Sequence, residues 1–536
     1  MNTYEKSFPF KKIREQQSQA IDFCIENIDE KRFFIIEAGT GVGKSAIGLT
    51  LARELNKRIK QGQDINKGSY FVTTQKILQQ QYVDDFSSIS SLSSYTNYMC
   101  THHRSNTCSQ SQQLLKTEEK GSKFFKNCVF NCKYKKDKQK FLDSEESITN
   151  FSYLLTEANY SGKIVPRNVL IIDEGHNIET ELSKFIEISV SENFCKNVLK
   201  IPFISNPTQY RAFKWINEVY LPVAKRRISF FENSIEKFGG ARLREKLKEF
   251  QSLTRQFDLL RSHITKIEKF VKIYDKENWV FDIDKSSKFS LKKMTFKPVN
   301  VSHYAEDVLF RLGTKVIIMS ATILNHKVFK ETLGITERSS CFISLPTPFK
   351  TENRPIIFSP VGSMSAKNID NTLPKLTVAI KAILDHHSGE KGIIHCKTYK
   401  IAEHLKRTLR NNRILTHDST NRDMILEKHI KSKNNTVLLS PSMTEGVDLR
   451  DDSSRFQILC KVPYPYLGDK LVRKRMNTFS GWYELQTTKS IVQSVGRSIR
   501  NENDHAATYI LDSDFDRFFN KNKNMFSNDF KKCIVK

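Results

Sequence analysis

The chain has 536 residues, enough for three or four domains of about 150 residues each. Its 86 Lys and Arg residues outnumber 59 Asp and Glu residues, and the formal charge of +27 favours a polyanionic partner. A Lys-rich composition that reflects an AT-rich genome could supply part of this charge. The absence of an apolar run of about 18 residues and of an apolar leader excludes a membrane-spanning helix and a signal peptide. We therefore expect a soluble, cytoplasmic protein with no membrane partner, whose ten cysteines stay reduced.

The first predicted elements are a strand, a glycine-rich loop and a helix. An apolar run at 33–36 predicts the strand, and apolar residues at helical spacing from 46 to 52 predict the helix. Between them, Ala38-Gly39-Thr40-Gly41-Val42-Gly43-Lys44-Ser45 matches a phosphate-binding loop, except that alanine replaces the usual first glycine. In such a loop backbone amides wrap the phosphates, Lys44 reaches the β- and γ-phosphates, and the Ser45 hydroxyl ligates Mg²⁺. The pattern predicts a site for ATP.

A cysteine-rich insert follows a second predicted strand at 70–74 and a helix at 77–86, and it extends from 98 to 140. Four of the ten cysteines fall within 33 residues of this insert, which indicates a metal or cluster site. Their spacing does not distinguish zinc from a 4Fe-4S cluster, because no CxxC pair is present, and His102 and His103 are alternative zinc ligands. The four cysteines are Cys100, Cys108, Cys128 and Cys132.

The same insert is both basic and aromatic. Lysines can follow a phosphate backbone while aromatic faces stack on unpaired bases, so the combination favours single-stranded DNA. For any single residue, a solvated lysine-rich face over a small aromatic core is an equally good interpretation. The residues include Lys133, Lys135, Phe124, Phe125, Phe130 and Tyr134.

A buried strand predicted at 169–172 ends on two carboxylates, Asp173 and Glu174. Ligands bind at the carboxyl edge of parallel sheets, so Asp173 is predicted to hold Mg²⁺ near Ser45. Glu174 is then the residue that orients or deprotonates the attacking water.

The stretch from 185 to 298 is charged and helical in pattern. Apolar residues recur every three or four positions from Leu243 to Val271, which predicts one long amphipathic helix with a packing face. We interpret 185–298 as a helical insert, after which a core strand is predicted at 315–319.

A second α/β domain is predicted beyond a proline-punctuated boundary at 344–356. Short buried-strand runs alternate there with helical patterns, as in a parallel sheet. The runs lie at 392–396, 436–439, 456–459 and 508–511.

Taken together, the motifs resemble those of the XPD/DinG family of iron–sulfur superfamily 2 DNA helicases over nearly the whole chain. The family usually has alanine where Gly175 stands, and threonine is common in place of Val42. The matching motifs are REQQ at 14–17, AGTGVGKS at 38–45, FVTTQ at 71–75, NFSYLL at 150–155, DEGH at 173–176, MSAT at 319–322, PTPF at 346–349, GIIHCKTY at 392–399, SMTEGVDL at 442–449 and QSVGRSIR at 493–500.

The resemblance implies an α/β fold with two RecA-like, doubly wound parallel-sheet motor domains. The first domain would carry a cysteine-rich iron–sulfur insert and a helical, arch-like insert. The implied divisions are the first motor domain at 1–97, 141–184 and 299–343, the iron–sulfur insert at 98–140, the arch-like insert at 185–298 and the second motor domain at 344–536.

The resemblance also implies residue roles. Catalysis would fall to Lys44, Asp173, Glu174 and His176, with Gln493, Arg497 and Arg500 facing the γ-phosphate from the second domain. His176 would couple the site to Ser320 and Thr322. Nucleotide contacts would come from Gln17, Gly39, Thr40, Gly41, Val42, Gly43, Lys44, Ser45, Gly446 and Asp448, and magnesium contacts from Ser45 and Asp173. The position of the four cysteines in the family favours a 4Fe-4S cluster, and Thr73, Thr74, Lys133 and Lys135 would contact nucleic acid.

The predicted function is ATP- and Mg²⁺-dependent movement, 5′ to 3′, along single-stranded DNA, with unwinding of duplex or forked DNA by a monomer. RNA–DNA hybrids are a further predicted substrate. One alternative is an ATP-driven remodeller of nucleoprotein or R-loops with weak unwinding. The other is a single-strand-binding scaffold with a vestigial ATP site, which DNA-stimulated hydrolysis would exclude.

Overall fold

The structure is a computed structural model that describes residues 4–59, 65–104, 106–115, 118–237, 246–284, 292–418, 420–441, 449, 451–496, 498–499 and 504–535. Within these ranges the strands are β1 (Phe33–Ala38), β2 (Asn66–Thr73), β3 (Ser90–Ser91), β4 (Glu146–Asn150), β5 (Arg167–Ile172), β6 (Ile188–Ser191), β7 (Trp279–Asp284), β8 (Lys293–Pro298), β9 (Gly313–Ser320), β10 (Ser340–Leu345), β11 (Ile356–Gly362), β12 (Gly392–His395), β13 (Ile414–Thr416), β14 (Val437–Ser440), β15 (Phe456–Leu459), β16 (Ala507–Asp512) and β17 (Ile534–Val535).

The α-helices of the same ranges lie between these strands. None of them is both long and apolar enough to cross a membrane. They are α1 (Glu15–Glu26), α2 (Lys44–Arg58), α3 (Lys76–Asp85), α4 (Cys108–Leu115), α5 (Lys123–Phe130), α6 (Lys133–Asp143), α7 (Phe151–Thr156), α8 (Ile178–Ile186), α9 (Glu192–Phe194), α10 (Gln209–Trp215), α11 (Leu221–Glu236), α12 (Leu247–Ile273), α13 (Ser302–Val308), α14 (His326–Leu333), α15 (Ile369–His386), α16 (Tyr399–Leu409), α17 (Arg422–Lys431), α18 (Lys470–Thr478), α19 (Trp482–Val495), α20 (Asp514–Lys521) and α21 (Asn528–Lys532).

The first sheet has seven parallel strands in the order β10-β1-β9-β5-β2-β4-β3. Every residue of β1 and β5 is buried, as expected for central strands covered by helices on both faces. The carboxyl ends of β1, β5 and β9 therefore meet at one edge, where the phosphate loop, Asp173 and Ser320 follow.

The second sheet also has seven parallel strands, in the order β13-β14-β12-β15-β16-β11-β17. Its central strands β12, β14 and β15 are buried along their length. Two doubly wound parallel sheets confirm the α/β architecture predicted from the sequence.

Two insertions interrupt the first sheet. Helices α4, α5 and α6 lie between β3 and β4, and the longer insertion leaves the core after α8 and returns through β8. The predicted long helix is confirmed as α12 from 247 onward, whereas Leu243 lies outside the described residues.

The described part of 185–298 is mainly helical, as predicted, but it also contains a small sheet that the sequence did not reveal. β6, β8 and β7 form an antiparallel sheet in that order, in which Phe296 packs on Phe270 of α12. The strands were missed because they are short and mix apolar with polar or charged residues, a weaker pattern than the periodicity of α12.

Candidate active site

The phosphate loop joins β1 to α2, and two of its glycines have left-handed backbone angles. Gly41 and Gly43 both have φ of 88°. A Cβ on Gly43 would lie 2.4 Å from Gln17 Nε2, and one on Gly41 would lie 2.3 Å from the Phe349 ring. Glycine is therefore required at both positions, because of the left-handed backbone and because a neighbouring side chain lies close to the Cα. Lys44, the first residue of α2, donates from Nζ to the Ala38 carbonyl at 3.2 Å.

The start of α1 fixes this loop from outside. Gln17 donates from Nε2 to the Val42 carbonyl at 3.0 Å, while its Oε1 accepts from the Arg14 amide at 2.9 Å. The Arg14 guanidinium also donates to the Gly41 carbonyl. Gln17 therefore contacts the backbone of the loop that is predicted to bind phosphate.

Asp173 follows β5 and is almost fully buried. Its Oδ2 accepts from the Tyr82 hydroxyl at 3.0 Å, and its Oδ1 accepts from the Glu174 amide at 2.9 Å. Burial, and then repulsion from Glu174, raises the pKa of Asp173 to about 6, although Lys44 acts in the opposite direction. Such a carboxylate lacks a full counter-charge and gains from a nearby cation.

Tyr82 is a site residue that the sequence did not reveal. It is buried on α3, and its hydroxyl lies between Asp173 and the Ser45 side chain, the two predicted magnesium ligands. Its place in the sequence showed only the apolar spacing of a helix, so no pattern marked it. Tyr82 thus orients the Asp173 carboxylate.

Glu174 and His176 occupy a sharp turn after β5. Glu174 has a left-handed φ of 54°, and its Oε2 lies 3.2 Å from His176 Nδ1. His176 Nδ1 also lies 2.8 Å from Ser320 Oγ, at the end of β9. The predicted coupling of His176 to Ser320 therefore has a direct contact behind it.

The same histidine reaches the second sheet's domain. Gln493 on α19 places its Nε2 at 2.8 Å from His176 Nε2 and 3.3 Å from Thr322 Oγ1. An amide N–H that donates to His176 Nε2 requires the imidazole proton on Nδ1, where Ser320 and Glu174 can accept it. A chain of polar contacts thus runs from Glu174 through His176 and across the cleft to Gln493.

A cavity of about 620 Å³ lies in this cleft between the two α/β domains. Glu174, His176 and Thr40 line it from one side, and Gln493 and Asp529 from the other. Its size and its mixture of polar and apolar walls suit a ligand of nucleotide size.

The linker between the domains forms part of the same wall. Thr347 Oγ1 donates to the Thr40 carbonyl at 3.3 Å, and the Thr347 amide donates to Asp529 Oδ2 at 2.9 Å. The Phe349 ring lies close to Gly41 and also packs with Ile499 of the second domain. The PTPF and QSVGRSIR motifs marked Thr347, Phe349 and Ile499 in the sequence but did not reveal the contacts. Gly446, Asp448, Arg497 and Arg500 lie outside the described residues.

Gly175 is more constrained than the sequence suggested. A Cβ at this position would lie 2.3 Å from Ile318 Cγ2 on β9. We expect Gly175→Ala to lower the free energy of unfolding by about 1–3 kcal/mol through overpacking, measured by urea titration. Gly389→Ala is the matched control, because a Cβ there meets no atom within 4 Å. Equal stability of the two variants would contradict this packing argument.

The four clustered cysteines converge, and none is in a disulfide. All four line one small cavity between α4, α5 and α6. Burial, and then the neighbouring thiols led by Cys132, raises the pKa of Cys108 to about 12. His102 and His103 instead pack against the Phe124 ring, with centroid distances of 5.2 and 4.6 Å. In the described residues no three thiol, imidazole or carboxylate groups are arranged around one point as metal ligands.

The predicted nucleic-acid residues have different surroundings. Thr73 is fully buried at the end of β2 and Thr74 is partly buried, so Thr73 does not offer its hydroxyl at the surface. Lys133 and Lys135 are exposed at the start of α6. Of the aromatic residues in that insert, Phe124 and Tyr134 are buried, whereas Phe130 is exposed.

Known proteins share both the sequence pattern and the fold. A sequence model of the helicase C-terminal domain matches residues 383–533, and one of the type III restriction enzyme res subunit matches residues 10–204. The ATP-dependent DNA helicase YoaA of Escherichia coli is 22% identical over an alignment of 605 positions, gaps included, which covers 95% of this chain and 92% of YoaA. The ATP-dependent DNA helicase DinG of Photobacterium profundum is 26% identical over 40% of this chain and 34% of its own length. A solved XPD helicase aligns with a TM-score of 0.63 at 16% identity, over 97% of this chain and 99% of its own.

The chain is XPD/DinG-like in both sequence and fold. In this XPD/DinG-like chain the two matched regions meet at the cleft, since His176 belongs to the first and Gln493 to the second. A second XPD-like structure, S. tokodaii Xpd4, aligns with a TM-score of 0.57 over 97% of this chain and 99% of its own, at 15% identity.

Proposed function

We propose that this XPD/DinG-like chain is an ATP-dependent DNA helicase that moves 5′ to 3′ on single-stranded DNA and unwinds duplex or forked DNA. The observation that carries the proposal is the His176–Gln493 contact at 2.8 Å. It connects the turn after β5, in the sheet that carries the phosphate loop, to α19 of the second domain. A nucleotide bound in this cleft would change how the two domains sit together, and a strand held across both would move with them.

The residues around the cleft divide the chemistry of ATP hydrolysis among them. Lys44 would neutralise the β- and γ-phosphates, and Ser45 and Asp173 would hold Mg²⁺, which would supply further positive charge to stabilise the phosphates. Glu174 would take the proton of the attacking water, and His176 would hold that carboxylate in place. Gln493 would couple the ATP site to the second domain through its contact with His176. Arg497 and Arg500 are further proposed contacts to the γ-phosphate.

Tailed duplexes test the proposal directly. We expect unwinding of forked and 5′-tailed duplexes, ATP hydrolysis stimulated by single-stranded DNA, and little unwinding of a duplex with only a 3′ tail. Unwinding of the 3′-tailed duplex alone would reverse the polarity. Stimulated hydrolysis without any unwinding would favour a remodeller of nucleoprotein or R-loops, and no hydrolysis would favour a scaffold.

We also propose that Cys100, Cys108, Cys128 and Cys132 hold a 4Fe-4S cluster. Four free thiols around one cavity match the ligand set of such a cluster, which would crosslink the three small helices of the insert. The cavity now measures only about 10 Å³, so the thiols must separate to accept it. Zinc remains the alternative metal for the same ligands.

The first test of the cluster is composition together with Cys128→Ser. We expect brown protein with about four irons per chain after anaerobic purification. Cys128→Ser should reduce unwinding by about tenfold and leave hydrolysis within about twofold, because the insert is remote from the phosphate loop. Cys341→Ser, outside the insert, is the control. Colourless protein with one zinc would overturn the iron assignment.

The basic start of α6 supplies a separate test of the DNA path. Lys133→Glu with Lys135→Glu should weaken single-strand binding and reduce the slope of log K against log salt by about 1.4, since about 0.7 is lost per phosphate contact. ATP affinity should not change. Lys406→Glu with Arg407→Glu makes the same charge change on the exposed face of α16. If both pairs lower DNA affinity equally, the effect is one of net charge, and α6 is not on the path.

A further inference from the structure

Arg475 on α18 is a buried arginine of the second domain, and its hydrogen-bond and ion-pair partners lie in the first. Its side chain is only 7% exposed. Nε donates to the Val299 carbonyl at 2.9 Å, and one Nη donates to the Pro298 carbonyl at 3.1 Å and to Ser183 Oγ at 3.3 Å. A guanidinium is withdrawn from water at high cost unless its donors are satisfied, so this arrangement is specific.

The residues that accept hydrogen bonds from Arg475 lie at the two ends of the long insertion. Ser183 lies on α8, after which the chain leaves the core, and Pro298 and Val299 lie where it returns. One side chain of the second domain therefore contacts both the exit and the return of the insertion.

Glu179 strengthens the same joint. Its Oε1 lies 2.9 Å from the Arg475 guanidinium as an ion pair, though without hydrogen-bond geometry, and its Oε2 accepts from Trp482 Nε1 at 3.0 Å. Trp482 begins α19 and packs with Phe479 and with Val328 of the first domain. The joint thus combines a charged pair with an apolar contact.

Helix α18 also lies along the antiparallel sheet of the insertion. Lys470 donates from Nζ to the Phe281 carbonyl at 3.2 Å and lies 3.5 Å from Asp282, both on β7. Lys474 lies 3.9 Å from Glu277, just before that strand. Contacts from 470 to 475 therefore follow the insertion for more than one helical turn.

The far end of the same unit reaches the nucleotide cleft. Only three residues, 479–481, separate α18 from α19, and α19 carries Gln493 near its carboxyl end. Gln493 contacts His176, so a continuous helix of about 16 Å leads from the cleft to Trp482 and the Arg475 joint.

We propose that α18 and α19 transmit nucleotide-driven movement of the second domain to the insertion, and that Arg475 is the positioning residue that couples them. The proposal rests on the proposed function, because it needs a nucleotide that closes the cleft. When the second domain moves, Arg475 moves both ends of the insertion with it. The insertion then changes its position over the first sheet in each cycle.

Two distances measured in the whole protein test this coupling. Fluorophores are placed through non-natural amino acids, because ten native cysteines prevent thiol labelling. One pair joins Glu30 of the first domain to Leu259 of the insertion, and the other joins Glu30 to Val378 of the second domain, all at exposed positions. Energy transfer is read before and after addition of a non-hydrolysable ATP analogue with Mg²⁺.

In the wild type we expect the analogue to change both distances. Arg475→Met should retain the Glu30–Val378 change and lose most of the Glu30–Leu259 change, with unwinding reduced by about tenfold and DNA-stimulated hydrolysis within about twofold. Arg473→Met is the control on the same helix, since Arg473 donates to the Leu467 carbonyl within its own domain. It should behave as the wild type.

A wild-type change in the Glu30–Leu259 distance in folded Arg475→Met would overturn the proposal. Folding is checked by thermal unfolding. If Arg475→Met does not fold, Glu179→Gln is the second test, because it keeps an acceptor for Trp482 and removes the charge that pairs with Arg475. A wild-type change in the Glu30–Leu259 distance in Glu179→Gln would also overturn the proposal. If the analogue alters neither distance in the wild type, the proposed function fails instead.

Discussion

Lys44→Ala is expected to reduce ATP hydrolysis by about 10³-fold, because no other group in the loop can neutralise the transferring phosphate. Lys44 is the first residue of α2 and its ammonium already lies over the loop, at 3.2 Å from the Ala38 carbonyl. Affinity for single-stranded DNA should stay close to that of the wild type, since Lys44 faces the phosphate loop. Steady-state hydrolysis and DNA-binding titrations on the same preparation measure the two effects.

Arg58→Ala is the control for this change. Arg58 is exposed at the last turn of α2 and approaches Glu54 only at 3.9 Å. The same loss of one positive charge from the same helix should leave hydrolysis within about twofold, as for surface pairs in general. Wild-type hydrolysis by Lys44→Ala would place the ATP site elsewhere.

The main features of the fold were predictable because parallel sheets leave a strong mark on sequence. Buried strands such as β1, β5 and β9 read as unbroken apolar runs, and each leads to polar residues at the same edge. Several strands that were not predicted follow a different pattern. Among them, β10 lies at the sheet edge and mixes polar with apolar residues, and β6, β7 and β8 pair antiparallel within the insertion.

The candidate site residues could be predicted where a local motif fixes their geometry. The residues that position them could not be predicted. The phosphate loop is encoded by a few consecutive residues, and so is the turn at Asp173. Tyr82, which orients Asp173, and Thr347, which joins the phosphate loop to Asp529, act over 91 and 307 residues of sequence separation respectively. No local pattern records which distant element a buried hydroxyl will face.

The position of His176 supports the proposal that a nucleotide in the cleft affects both domains. The imidazole is shared by Glu174, Ser320 and Gln493, so a shift of any partner alters the hydrogen bonds of the others. In the proposed hydrolysis, Glu174 would accept the proton of the attacking water, and the His176 ring would join Glu174 to the contact with the second domain. This arrangement makes Glu174 the residue whose loss should separate binding from chemistry.

Glu174→Gln is accordingly expected to reduce hydrolysis by about 10²–10⁴-fold while ATP binding persists. Glutamine has the same shape and can still accept from His176 Nδ1, which lies 3.2 Å from Oε2 in the native residue. It cannot take a proton from water, so the bound nucleotide should remain intact and the closed cleft should accumulate. Equilibrium binding of labelled ATP and single-turnover hydrolysis distinguish these steps.

Lys44→Ala provides the contrast, because it should weaken nucleotide binding, whereas Glu174→Gln should not. Glu181→Gln controls for the loss of a carboxylate, since Glu181 lies on α8 and pairs with the exposed Lys184 at 2.8 Å. Its hydrolysis should match the wild type. If Glu174→Gln hydrolyses ATP at the wild-type rate, then the base is another group, and the left-handed turn at Glu174 serves only to place His176 against Ser320 and Gln493.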